Sequence, residues 1–109
     1  GNAAEPARYC IVQTTLDTEA AAEALARALV QAQLAACVQI QPIKSVYRWE
    51  EKLCCEPEYL LLIKTRTGRF EAIHQFIRER HSYTTPEIIQ VPIMAGSEDY
   101  LRWLDAGTR

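Results

Sequence analysis

The order of strand and helix signals along this chain predicts an α+β protein with a ferredoxin-like split βαβ sandwich. The pattern is βαββαβ with an extra C-terminal helix, an antiparallel sheet and two helices on one face. Three observations carry that prediction. Two amphipathic helical segments each come after one strand-like run and precede another, so each reads as a crossover. Between them lies a long extended stretch interrupted by a polar tip, which reads as a hairpin. The chain has 109 residues, 49% hydrophobic and 24% charged, enough for one real core and too few for two.

Each element has its own signature. Residues 9–15 form a short strand-like run, and Asp17 is placed as the N-cap of a helix running to about Gln33. In that helix Leu25 and Leu29 lie one turn apart with Ala22 and Ala26 beside them, so its apolar face packs closely on a sheet. Residues 36–50 read as extended. Val38 and Ile40 share one parity and Ile43, Tyr47 and Trp49 the other, which predicts a bulge or bend near Pro42. Residues 51–57 form the polar tip, and residues 59–66 a central strand whose run Leu60-Leu61-Leu62-Ile63 is apolar on both faces. Thr67 is expected to cap a second helix carrying Phe70, Ile73 and Ile77 on one side. Residues 87–94 form a fourth strand broken by Pro92, and Ser97 caps a last helix with Tyr100, Leu101, Trp103 and Leu104. Residues 1–7 begin without Met and read as a tag remnant or disordered leader, leaving residues 8–109 as the domain.

Composition narrows the function. Twelve Lys plus Arg against fourteen Asp plus Glu give a formal net charge of −2, so nucleic acid and anionic membrane are not expected as partners. The longest apolar run, residues 59–63, is of strand length, far short of the roughly 18 residues of a spanning helix. Cys10, Cys37, Cys54 and Cys55 are too few and too uneven for a disulfide scaffold, and the expected compartment is reducing and cytoplasmic. RNA-recognition domains share the topology but need aromatics in the third strand, where this chain has Tyr59-Leu60-Leu61-Leu62-Ile63-Lys64. Acylphosphatase-like chemistry needs a catalytic Asn, and the only Asn is Asn2 in the leader. No Ser, His, Asp trio or paired catalytic carboxylate stands out, and four glycines leave little room for a phosphate loop, so the chain is read as non-enzymatic.

Two constellations remain. Trp49, Lys64, Tyr83, Glu87, Tyr100 and Trp103 combine flat aromatics with one cation and one anion. They either line a cleft between subunits or anchor the subunit interface, because two helices cover only one sheet face and the other is expected to meet another copy. His81 and Glu87 are candidate metal ligands, with a thiol as third. His81 also fits a plain role bonding carbonyls at a helix end, and Glu87 an exposed ion pair. His74 reads as a solvated side chain, Cys37 as a packed thiol, and the Cys54, Cys55 pair as no site.

Four segments are more specific: Leu34-Ala35-Ala36-Cys37-Val38, Ser45-Val46-Tyr47-Arg48-Trp49-Glu50, Ile63-Lys64-Thr65 and His81-Ser82-Tyr83-Thr84-Thr85-Pro86-Glu87-Ile88. With the closing Asp99-Tyr100-Leu101-Arg102-Trp103, the chain resembles the CutA family of divalent-cation tolerance proteins from about Tyr9 to its end. The resemblance implies a homotrimer joined through sheet edges and the long hairpin. It also implies a response to divalent metal ions, copper or another, with no organic cofactor. The proposed copper site of that family would map onto His81, Glu87 and a Cys at the end of the first strand. Gln13 stands at the Cys position here, so Cys37 or Cys10 would have to supply a thiolate.

Overall fold

The computed structural model describes residues 6–109 and contains four strands and three α-helices. In chain order these are β1 (Tyr9–Leu16), α1 (Glu19–Gln31), β2 (Cys37–Trp49), β3 (Lys52–Arg66), α2 (Phe70–Arg80), β4 (Ile89–Ile93) and α3 (Glu98–Ala106). The sheet order is β2-β3-β1-β4 with every neighbouring pair antiparallel, the split βαβ arrangement that the sequence predicts. Of the leader reading, residues 1–5 lie outside the described residues. Ala7 is tied down, its carbonyl accepting from Thr67 Oγ1 at 2.7 Å.

The core lies between the sheet and the first two helices. Period-2 alternation sends Cys10, Val12 and Leu16 of β1 and Leu61 and Ile63 of β3 to the same side. There they meet Ala22, Leu25, Ala26 and Leu29 of α1 with Ile73 and Ile77 of α2. The third helix takes the opposite side. Tyr9 donates its hydroxyl to Asp105 at 2.6 Å and Arg66 Nε donates to Thr108 Oγ1 at 3.1 Å, both from the other parity of β1 and β3. Gly107 lets this helix end settle on the chain before β2, for a Cβ there would sit 2.9 Å from the Ala36 methyl.

Several local expectations change. Thr18, not Asp17, caps α1, its Oγ1 accepting from Ala21 N at 3.1 Å. The helix stops at Gln31 because Gln33 turns left-handed at φ 58°. Leu34 N then bonds Leu29 O and Gln33 N bonds Val30 O, a Schellman closure that glycine usually supplies. Thr67 spends its hydroxyl on Ala7 and opens a 3₁₀ turn, so it does not cap α2, which begins at Phe70. Pro92 does not break β4; it pairs with Cys10 inside an edge strand, where a missing donor is tolerated.

The hairpin departs furthest. Its register runs without a slip from Cys37 opposite Lys64 to Trp49 opposite Lys52, so there is no bulge near Pro42, and β3 starts at Lys52 instead of Tyr59. The tip is only Glu50 and Glu51, both at positive φ (49° and 67°), as a two-residue type I′ turn requires. The phase change at Pro42 therefore has another cause: the apolar residues move to the face opposite α1 and α2 as β2 passes the end of the core. Pro42 faces Tyr59 and Lys44 faces Pro57, two rungs of the same class. Counting from the closing pair Trp49 and Lys52, both are non-hydrogen-bonded rungs, where a residue's nitrogen points away from its partner strand. Both prolines thus fit the ladder without costing it a bond.

Leu61 and Ile63 are fully buried, whereas Leu60 and Leu62 on the opposite face of the central strand are only half-buried. Around them Ile89, Val91, Tyr47 and Trp49 remain exposed. Among the described residues no helix is long and apolar enough to cross a membrane.

Candidate functional site

Where the hairpin rises past the end of β1, the segment after α2 crosses the top of the sheet and encloses a groove of about 680 Å³. One wall is the hairpin, with Ser45, Tyr47, Trp49 and Glu58; the other is the segment from Ser82 to Glu87. Strand parity explains the first wall, since Ser45, Tyr47 and Trp49 alternate along β2 and Glu58 lies on the matching face of β3. Among the described residues no Lys or Arg lines the groove, which carries two carboxylates, Glu58 and Glu87, among hydroxyls and aromatic rings.

Three side chains fix the second wall. His81 ends α2, and its ring is engaged on both nitrogens: Tyr83 N donates to Nδ1 at 3.1 Å, and Nε2 lies 2.7 Å from the Thr15 carbonyl. An amide can only donate and a carbonyl can only accept, so these partners select the neutral ring with its hydrogen on Nε2. The Tyr83 ring rests against the His81 ring, centroids 4.7 Å apart, and its hydroxyl donates to Glu58 Oε2 at 3.0 Å. Burial first, and then the bond to Glu58 and its negative charge, push the Tyr83 phenol well above the ordinary range. Tyr47 is pushed up in the same sense by partial burial and by Glu56.

The residues singled out from the sequence fall into two groups. Trp49, Tyr83 and Glu87 line the groove and His81 stands behind it. Lys64, Tyr100 and Trp103 form a separate cluster near the other end of the sheet, with Lys64 Nζ 5.5 Å above the Tyr100 ring and the Tyr100 and Trp103 rings 5.5 Å apart. Cys37 pairs with Lys64 at that end, and Cys10 is fully buried on the helix face, where burial raises its thiol pKa. Neither thiol joins the groove. Among the described residues no three His, Cys, Asp or Glu side chains come together as a metal-holding set. Glu87 is exposed, and oxygen donors there suit a hard divalent cation, whereas a soft ion would need the His81 ring to leave the backbone. Sequence reasoning missed Glu58, because it fell between the tip read at 51–57 and the strand read at 59–66; its even spacing from Leu60 and Leu62 was the available signal.

Comparison with known proteins points one way. The profile of the CutA1 divalent ion tolerance protein family matches residues 10–107. A chloroplastic CutA protein of Arabidopsis thaliana is 44% identical over 91% of this chain, and the chain spans about half (55%) of that plant protein's length. The divalent-cation tolerance protein CutA of Thermus thermophilus is 41% identical, covering 90% of this chain and 96% of its own. Among solved structures, CutA1 from Oryza sativa superposes with a TM-score of 0.91 at 39% identity, over 95% of this chain and 96% of that one. CutA from Synechococcus elongatus gives 0.92 at 37% identity, over 97% and 95%. With the profile spanning nearly the whole domain and relatives at this identity sharing its fold, the chain belongs to the CutA1 divalent-ion tolerance family.

Proposed function

We propose that this protein serves divalent-cation tolerance as a homotrimer that binds copper or another divalent cation and catalyses no reaction, in a reducing cytoplasm. The observation that carries the binding reading is the groove itself: two carboxylates, several hydroxyls and aromatic faces, with no cationic side chain among the described residues lining it. Glu87 is the central ligand of this reading, Glu58 its neighbour across the groove, and His81 joins only by giving up a backbone partner. Two carboxylates make an incomplete set, which a second subunit would complete. The trimer reading is supported by the exposed apolar face around Ile89, Val91, Tyr47 and Trp49. Four free thiols support the reducing compartment.

A second reading is an enzyme with an active site between subunits that uses Lys64, Tyr83 and Glu87; it requires a neighbouring copy to bring Lys64 to the groove, because within one chain Lys64 Nζ lies over the Tyr100 ring. Calorimetric titration of the reduced protein with Cu²⁺ and then Zn²⁺ tests the proposal. Saturable binding lost in both Glu87→Ala and Glu58→Ala, with oligomeric state preserved, supports it. Binding that is unchanged in both variants places the cation elsewhere and ends the reading.

A further inference from the structure

We infer that His81 is a positioning residue: as a neutral imidazole it latches the segment after α2 onto the end of β1 and so builds the groove. The inference stands on geometry and does not depend on any cation being bound. The His81 ring is the link between the segment's backbone and the sheet, one nitrogen on Tyr83 N and the other on Thr15 O. It makes both bonds from the C-cap position of α2, a rigid base. Thr15 sits in β1 opposite Leu60 of β3, so the ring fastens the segment to β1, a central strand of the sheet. That fastening places the remaining parts: the Tyr83 ring stacks at a tilt on the imidazole, its hydroxyl reaches Glu58, and the groove gains its second wall.

The chemistry of the ring suits this work. A lysine or arginine could reach the Thr15 carbonyl but could not accept from Tyr83 N, and a carboxylate could do only the reverse. Neutral imidazole does both with one rigid plane. Glu58 is therefore held through a chain of contacts, Thr15 to His81 to Tyr83 to Glu58, and His81 acts on a groove ligand through Tyr83 without touching it. A cation that took either ring nitrogen would have to break one end of the latch.

The test uses the full chain, stripped of metal by chelation and labelled with ¹⁵N-histidine. The long-range ¹H–¹⁵N spectrum of His81 is expected to show one pyrrole-like and one pyridine-like nitrogen, the hydrogen-bearing one assigned as Nε2. In His81→Ala the nuclear Overhauser contacts between the Tyr83 ring and the Glu58 side chain should be lost, and the Tyr83 amide should exchange about tenfold faster, while the Ile63 amide keeps its protection. His81→Gln, whose amide can donate to the Thr15 carbonyl, should recover those ring contacts. His81→Asn keeps only the local bond, side chain to amide two residues on, and should recover amide protection without the ring contacts. A doubly protonated or tautomer-averaged His81 at neutral pH overturns the inference, as does an unchanged Tyr83 in His81→Ala. Should the alanine variant not fold, the wild-type spectrum and the Gln and Asn pair decide.

Discussion

Tyr83 makes the groove's internal hydrogen bond with a carboxylate, and its phenol is held neutral by burial and by Glu58. A group whose folded pKa is raised binds its proton more tightly in the native state, so its stabilising contribution is complete below the unfolded value of 10.0. That contribution fades as pH rises through and beyond this value, since the unfolded chain ionises first. Tyr83→Phe keeps the ring against His81, costs about 1 kcal/mol at neutral pH and flattens the loss of stability above about pH 10; urea melts across that range measure both effects. Trp49, Tyr83 and Glu87, which line the groove, stood out as candidates because flat rings and an acid in a segment shared with a known family are conspicuous by type. Lys64 looked like their partner and shares the sheet face of Glu58, but it stands at the far end of β3 over the Tyr100 ring, and Glu58 fell between the tip and the strand read from the sequence. Residue type was readable at both positions; place along the strand, which the ladder register decides, was not.

The hairpin shows what local pattern misses at the scale of an element. Its outer half is held by ladder bonds and by one face, not by a core on both sides, so residues 52–57 lack the alternation that announces a strand. The turn is a second disguise, because two glutamates stand at left-handed φ where Asn-Gly is the usual signature. Glu51→Gly removes that strain and should raise stability by about 0.5–1 kcal/mol in denaturant melts. The end of α1 was misplaced for a similar reason, a glutamine occupying the usual glycine position of a Schellman closure. At the C-terminal helix the glycine is required: Gly107→Ala drives a methyl into Ala36 and should cost about 1–3 kcal/mol, read as a lower melting midpoint with the Tyr9 to Asp105 contact loosened.

At the scale of the whole molecule, the order of elements and the handedness of crossovers were enough to give the sheet order, because few topologies satisfy both. The groove was not legible there, since it forms where a projecting hairpin meets a connecting segment and neither has a core signature. Trp49, 56% exposed in the single chain, is the test of assembly. As an aromatic anchor of the proposed trimer it should cost about 2 kcal/mol or more per interface on replacement by alanine. Sedimentation velocity across a dilution series should show Trp49→Ala dissociating at concentrations where the parent chain stays associated, while a core buried elsewhere keeps each subunit folded. The position of Pro42 bears on how such association ends. It stands near the middle of β2, a strand of 13 residues on the free edge of the sheet, with its nitrogen turned outward. A foreign strand laid along that edge meets a missing donor and a ring partway, so the edge offers two short footholds in place of one continuous template. Continuous strand-upon-strand growth along that edge is thereby interrupted in every copy.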